Sequence, residues 1–279
     1  MLSLLSSKEK EYSLSPYYSR EGVNLSFRFE MDHSAKEKRS NLILALDFPP
    51  LEPHQLLSRS IKLLEEVHPY ICAVKINHHL VLPLGLFNGT QKIVSLAHDL
   101  GLPTIMDCKI NDIGDTNRVI AEFYYNAGFD AVITNPFVGW DEGLQPIFEV
   151  AKRKHRGVIL LVYMSHKGAL EGYGQKIIDP KTGELTSQYL VFAEKALSWS
   201  ADGAVVGATF PEKIEEVYAV LKEHVPIYSP GVGAQGGDMA AAVAAGARYL
   251  IVGRKITLAE EPVKTAKLLR DTIEECTKR

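Results

Sequence analysis

Cysteine is scarce and scattered in this 279-residue chain: Cys72, Cys108 and Cys276 are its only three. None has CxxC or zinc-ligand spacing, which argues against a disulfide scaffold, dithiol redox chemistry or structural zinc and fits a reducing, cytoplasmic compartment. The nine histidines form no HExxH pair, and the neighbours His78 and His79 read as loop surface, so no metal is expected. Ser165 ends the run YMS without a GxSxG elbow, which argues against a serine hydrolase. No run of about 18 apolar residues is present, and the opening MLSLLSS is too short and too poor in basic residues for a secretory leader, so a soluble protein with no membrane partner is expected. A net charge of -3 and a pI near 6.3 argue against a nucleic-acid surface, which needs concentrated positive charge.

The chain is 46% hydrophobic, enough to bury a large core. From residue 41 onward, short β-rich apolar runs alternate with amphipathic stretches of helical length. Strands are predicted over 42–48, 71–77, 104–110, 131–135, 157–165, 204–208, 227–232 and 249–253, with helical patterns such as 51–67, 116–127, 211–224 and 262–277 between and after them. Eight βα units in residues 41–279 match an α/β fold of the (β/α)8 TIM-barrel type, with its active site at the C-terminal strand ends. A doubly wound sheet competes, but no GxGxxG turn follows the first strand.

Two segments lie outside the pattern. Residues 1–40 form an N-terminal extension in which Val23, Leu25, Phe27, Phe29 and Met31 alternate with polar residues, predicting one half-buried strand. Such a strand would cap the barrel floor or join an interface; the alternative is a poorly ordered extension with little role in chemistry. Residues 166–185, with four glycines and Pro180, make a long connection on the functional face and a candidate lid.

The segment DCKINDIGDT, residues 107–116, places carboxylate, ammonium and carboxylate within six positions at a strand end. Side chains two apart in a strand share a face about 6.6 Å apart along the chain, so Asp107 and Lys109 point the same way, with Ile105. Met106, Cys108 and Ile110 face the helix layer, and Asp112 belongs to the following loop. Asp47 and Lys75 are isolated charges at the ends of the first two strands, inward by parity with Ala45 and Ala73. A single such charge reads as a structural ion pair. Four at matching strand ends favour a catalytic site, because interior charges persist only when paired.

The segment SPGVGAQGGD, residues 229–238, follows the seventh strand, and Gly253-Arg254 ends the eighth. Glycine admits close approach of backbone N–H groups to an anion, a helix start adds positive dipole, and an arginine fork matches phosphate oxygens. Barrel enzymes commonly hold phosphate there. The plain alternative is a flexible glycine-rich turn.

These residues resemble the orotidine 5'-monophosphate decarboxylase family. Its DxKxxDI signature appears as Asp107, Lys109, Asp112 and Ile113, and ALD with Asp47, VK with Lys75, MS with Ser165, PGVGAQGGD with Pro230 and Gln235, and VGR with Gly253 and Arg254 follow in the family's order. The resemblance implies a cofactor-free decarboxylation of orotidine monophosphate to uridine monophosphate. It assigns Lys109 as proton donor to C6, Asp107 as the carboxylate beside the departing group, and Lys75 and Asp112 as the rest of the charged network. It places Asp47 and Lys75 at the ribose, Ser165 at the pyrimidine, and Gln235, Gly253 and Arg254 at the phosphate. It also implies a homodimer in which Asp112, Ile113 and Thr116 serve the neighbouring subunit's site. The loop after the seventh strand is the segment expected to move. Departures are Asn77 where glycine is usual, Asp115 where asparagine is frequent, and the first 40 residues. A metal-using sugar-phosphate decarboxylase or aldolase of the same superfamily is the nearest alternative, but those place Glu where Lys75 stands. A non-catalytic nucleotide-binding barrel is the other.

Overall fold

The computed structural model describes residues 26–179, 182–233 and 236–278. Its strands are β1 (Leu42–Ala45), β2 (Ala73–Asn77), β3 (Thr104–Ile110), β4 (Ala131–Thr134), β5 (Gly157–Tyr163), β6 (Lys176–Ile178), β7 (Leu185–Ser187), β8 (Gly203–Val206), β9 (Ile227–Pro230) and β10 (Ala247–Val252). Eight of them close into a parallel barrel, with β10 pairing β1, while β6 and β7 form an antiparallel hairpin outside it. The TIM barrel expected from the alternation is therefore the fold. All seven residues of β5, GVILLVY, are buried, because one face meets the barrel interior and the other the helix layer.

Helices fill the connections: α1 (Phe27–Lys38) precedes the barrel, and α2 (Pro53–Val67), α3 (His78–Leu84), α4 (Gln91–Asp99), α5 (Gly114–Asn126) and α6 (Gln145–Lys154) follow β1 to β4. Next come α7 (Ala169–Gly172), α8 (Gln188–Ser198), α9 (Pro211–Leu221), α10 (Met239–Ala244), α11 (Arg254–Thr257) and α12 (Pro262–Thr277). In α2 the buried side chains Leu56, Ser60, Leu63, Leu64 and Val67 recur at helical spacing, behind a proline at the first turn where its missing N–H costs nothing. The stretch His78–Asp99 is long and apolar enough to cross a membrane by composition. Pro83, Gly85 at φ +70° and the non-helical Asn88 divide it into α3 and α4.

The strand predicted around residues 23–31 is not what forms. Phe27–Lys38 is a helix, while Val23 and Leu25 lie outside the described residues. Phe27, Met31 and Ser34 are its buried face at spacings of four and three, and Phe29, which the alternation would have put inside, is 48% exposed. Ser26 caps the start by accepting from Phe29 N at 3.4 Å, and Arg39 ends it in the left-handed conformation. Over five described residues a period of two and a period of 3.6 share enough positions to be confused; tertiary packing selected the helix.

That packing is on the barrel floor. Phe27 lies against Gly157 so closely that a Cβ there would come within 2.3 Å of its ring. Ser34 Oγ donates to Cys72 O at 2.7 Å, and Asp32 accepts from Arg248 Nη2 and Tyr249 Oη, both at 2.7 Å. Beside these lies Asp130, buried just before β4. It accepts from Thr104 N and Oγ1 at 2.7 and 2.9 Å, bonds His98 Nε2 at 2.8 Å and pairs with Arg156. Glu30 of α1 faces this cluster. Burial first, and then the Asp130 charge, push its carboxyl up to about 7, with Arg156 and His98 offsetting only part. Burial works against the His98 imidazolium, but Asp130 outweighs it and raises His98 as well.

A raised native-state pKa means stabilisation that is complete below the unfolded value and lost as pH rises through the native one. For Glu30 the window runs from its ordinary 4.5 up to about 7. Glu30→Gln, which keeps the protonated shape, is expected to unfold at higher temperature than the parent at pH 8, with the difference closing toward pH 5. A thermal-melt series across that range checks it, and a pH-independent difference would contradict the assignment.

Candidate active site

The C-terminal strand ends surround a cavity of about 340 Å³, within the range of small-molecule sites. Its wall carries Asp47, Lys75, Asp107 and Lys109 from the ends of β1, β2 and β3, Pro230, Gly231, Val232, Gly253 and Arg254 from the ends of β9 and β10, and Met164, Ser165 and His166 from beyond β5. Ala45, Ile133, Leu161, Val205 and Ile251 supply its apolar part.

Asp107 lies between two ammonium groups. Lys75 Nζ donates to Oδ2 at 2.7 Å and Lys109 Nζ to Oδ1 at 2.5 Å. Burial alone would raise the Asp107 carboxyl, but Lys75 and then Lys109 outweigh it and hold it well below the usual carboxylate range. Burial likewise opposes the Lys75 charge, and Asp107 first and Asp47 next overcome it, so that Lys75 is raised. Asp107 and Lys75 are thus each held in the charged form by the other, as a buried ion pair requires. The neighbouring Cys108 thiol is pushed up to about 12 by burial and by Asp107, which removes it as a nucleophile.

Regular strand parity is not what aims Lys109. Met106 pairs with Val132 and Ile110 with Thr134, so residues 107–109 all stand opposite the single Ile133. Lys109 sits in this bulge at φ +49°, a left-handed conformation that costs a non-glycine residue about 1 kcal/mol. Bulges re-aim side chains beside active sites, and this one turns the Lys109 ammonium back onto Asp107.

Asp47, just beyond β1, is held by its neighbours. Asn77 Nδ2 donates to Asp47 Oδ1 at 2.8 Å, Thr257 Oγ1 donates to Asp47 O at 2.7 Å, and a Cβ on Gly253 would fall 2.5 Å from Asp47 Oδ2. Glycine at 253 is therefore a requirement of the site. Next to Gly253, no carboxylate among the described residues pairs with the Arg254 guanidinium, which leaves its donors for a ligand. Asp238 caps α10, accepting from Ala240 N at 2.8 Å and Ala241 N at 3.4 Å, which commits those donors and brings negative charge to that terminus. Gln235 lies outside the described residues.

Asp112, Ile113 and Thr116 are exposed and do not line this cavity. The loop that carries them is rigidly built. Buried Asn117 accepts from Asp112 N at 3.0 Å and donates to Asp112 O and, at 2.9 Å, to Gly143 O, while a Cβ on Gly114 would fall 2.9 Å from Glu142 O. Sequence reasoning passed over Asn117, His166 and the apolar wall beyond Ala45, and noted Asn77 only as a departure. A lone asparagine at a helix start resembles an ordinary cap. Among the described residues no group of three or more His, Cys, Asp or Glu side chains is gathered as a metal site would need.

A profile of the orotidine 5'-phosphate decarboxylase / HUMPS family matches residues 40–269. The orotidine 5'-phosphate decarboxylase of Pyrococcus abyssi is 38% identical over 215 residues, 77% of this chain and 93% of that protein. The crystal structure of the Pyrococcus horikoshii decarboxylase superposes with a TM-score of 0.67 at 36% identity, covering 83% of this chain and 98% of the other. That of the Methanocaldococcus jannaschii enzyme, complexed with the inhibitor BMP, gives 0.70 at 29% identity over 85% and 98%. With the profile spanning the whole barrel, the chain belongs to the orotidine 5'-phosphate decarboxylase / HUMPS family.

Proposed function

We propose that this chain is an enzyme that decarboxylates orotidine 5'-monophosphate to uridine 5'-monophosphate in pyrimidine biosynthesis, in the cytoplasm and without a cofactor. The observation that carries the reading is Asp107 kept ionised between Lys75 and Lys109 on the wall of a ligand-sized cavity that an uncommitted Arg254 also lines. As the bond from C6 to the carboxylate breaks, carbon dioxide leaves and the electron pair stays on C6. Lys109 is the positive charge fixed where that negative charge develops, and its Nζ then gives the proton that completes the product. Solvent returns the proton to the lysine. Asp107, unable to take up a proton at neutral pH, disfavours the substrate carboxylate beside it while holding Lys109 in place.

Asp47 and Lys75 serve the ribose hydroxyls, Ser165 the pyrimidine edge, and Pro230, Gln235, Gly253 and Arg254 the phosphate end. Phosphate is remote from the reacting carbon, and its binding energy offsets the cost of bringing two carboxylates together. Asp112, Ile113 and Thr116 complete the site of a second copy in a homodimer. The deciding experiment follows orotate absorbance with purified protein and orotidine monophosphate in the presence of a chelator. An absorbance that does not fall overturns the reading, and activity on a sugar phosphate that the chelator abolishes would replace it.

Arg254→Ala is expected to weaken the transition state by about 2–3 kcal/mol, as for lost charge-assisted bonds, which raises KM or lowers kcat/KM about 30- to 150-fold. The nucleoside orotidine, lacking the phosphate, should be turned over equally by parent and variant. Unchanged kinetics on the nucleotide would remove Arg254 from the phosphate site.

A further inference from the structure

Asn77 ends β2 and uses both ends of its amide. Oδ1 accepts from His79 N at 2.9 Å, capping α3, and Nδ2 donates to Asp47 Oδ1 at 2.8 Å. Because the oxygen is committed to a backbone N–H, the NH₂ group faces the carboxylate, and the helix start therefore sets the direction of the donor. On its other side the same carboxylate lies against Gly253, at a separation only glycine permits. Among the described residues no cation is within ion-pair distance of Asp47; Lys75 spends its ammonium bond on Asp107. Asp47 is thus an anion fixed in orientation by one neutral donor, with lone pairs left over toward the cavity.

We infer that Asn77 is the positioning residue of the ribose subsite. By holding Oδ1 it fixes the plane of the Asp47 carboxylate, so that the remaining lone pairs meet the ribose 2' and 3' hydroxyls, and selection for a ribonucleotide depends on it. A lysine in its place would compete with the hydroxyls for the carboxylate. A side chain without a donor would leave the carboxylate free to rotate about its last bond. The inference rests on the reading that a nucleotide's ribose lies against Asp47, and the experiment separates the two.

Binding of uridine monophosphate and of 2',3'-dideoxyuridine monophosphate to the full chain is measured by calorimetry, which needs no turnover. The parent should prefer the ribonucleotide about tenfold or more, the range of a charge-assisted hydrogen bond. Asn77→Ser keeps an acceptor for the α3 cap while its shorter side chain draws the hydroxyl back from Asp47, and Asn77→Asp, once ionised, keeps the acceptor and has no donor; both should bring the ratio close to one. In Asn77→Ser, affinity for the dideoxy analogue should be retained, a result that loss of structure would not give. Should the serine variant not fold, the aspartate variant, with the better cap, decides. If Asp47→Ala abolishes the preference while both Asn77 variants keep it, the Asn77 assignment is overturned and the ribose reading stands. If Asp47→Ala keeps the parent ratio, the ribose reading falls and this inference with it.

Discussion

Alanine at position 109 is expected to lower turnover of orotidine monophosphate by about four orders of magnitude or more while leaving the fold intact. Two contributions are lost together. A positioned general acid supplies about 10²–10⁴, and a preorganised charge at the developing anion about 10²–10³. The fold should survive because the Lys109 side chain is 38% exposed and Asp107 keeps its second partner, Lys75, at 2.7 Å. Alanine also tolerates φ +49° no worse than lysine does, so the bulge gains no new strain. Removing Asp107 would be different, since it would leave the buried Lys75 ammonium without its main partner. Steady-state and single-turnover kinetics beside a thermal melt check the prediction. Residual activity within about a hundredfold of the parent would remove Lys109 as proton donor, because the two contributions together exceed that by a further factor of about 10² or more.

The barrel was legible because eight apolar runs at regular spacing leave few other ways to bury them, and Asp47, Lys75 and Asp107 because a single charge on an apolar strand must be answered by another. Less could be read where the backbone departs from regularity. Parity put Asp107 and Lys109 on one face, and the two do meet, but through a bulge and a left-handed lysine that no alternation pattern encodes. The α1 region failed for the opposite reason. Its few apolar residues satisfy two periods at once, and the choice lies in distant partners: the notch at Gly157, the carbonyl of Cys72, and Arg248 with Tyr249. At α10 the sequence left one residue ambiguous, since Asp238 reads equally well as the last position of a loop or as the cap that occupies the helix start.

The same local rigidity leads to the second large effect. Asp112→Ala is expected to lower kcat/KM by about 10²–10³, as for loss of one preorganised polar group, although Asp112 is absent from the cavity wall of its own chain. Asn117 ties both backbone groups of Asp112 and Gly114 presses on Glu142 O, so the loop cannot swing inward without breaking three hydrogen bonds. Next to Asp112, Ile113 is 68% exposed; Phe123, farther along α5, is also exposed and meets exposed Phe87 edge to face. Such apolar side chains are suited to cover by another protein surface. If the surface is a second copy, Asp112 acts there, and a mixture tests it. Combining Lys109→Ala with Asp112→Ala subunits, each strongly impaired alone, gives heterodimers in which one of the two sites draws Lys109 from one chain and Asp112 from the other. Random exchange puts half the dimers in that state, so activity should recover to about a quarter of the parent's per site, the value set by twofold symmetry. Were Asp112 to act within its own chain, no intact site could form at any mixing ratio, and exchange verified by mass spectrometry without recovery would decide for that arrangement.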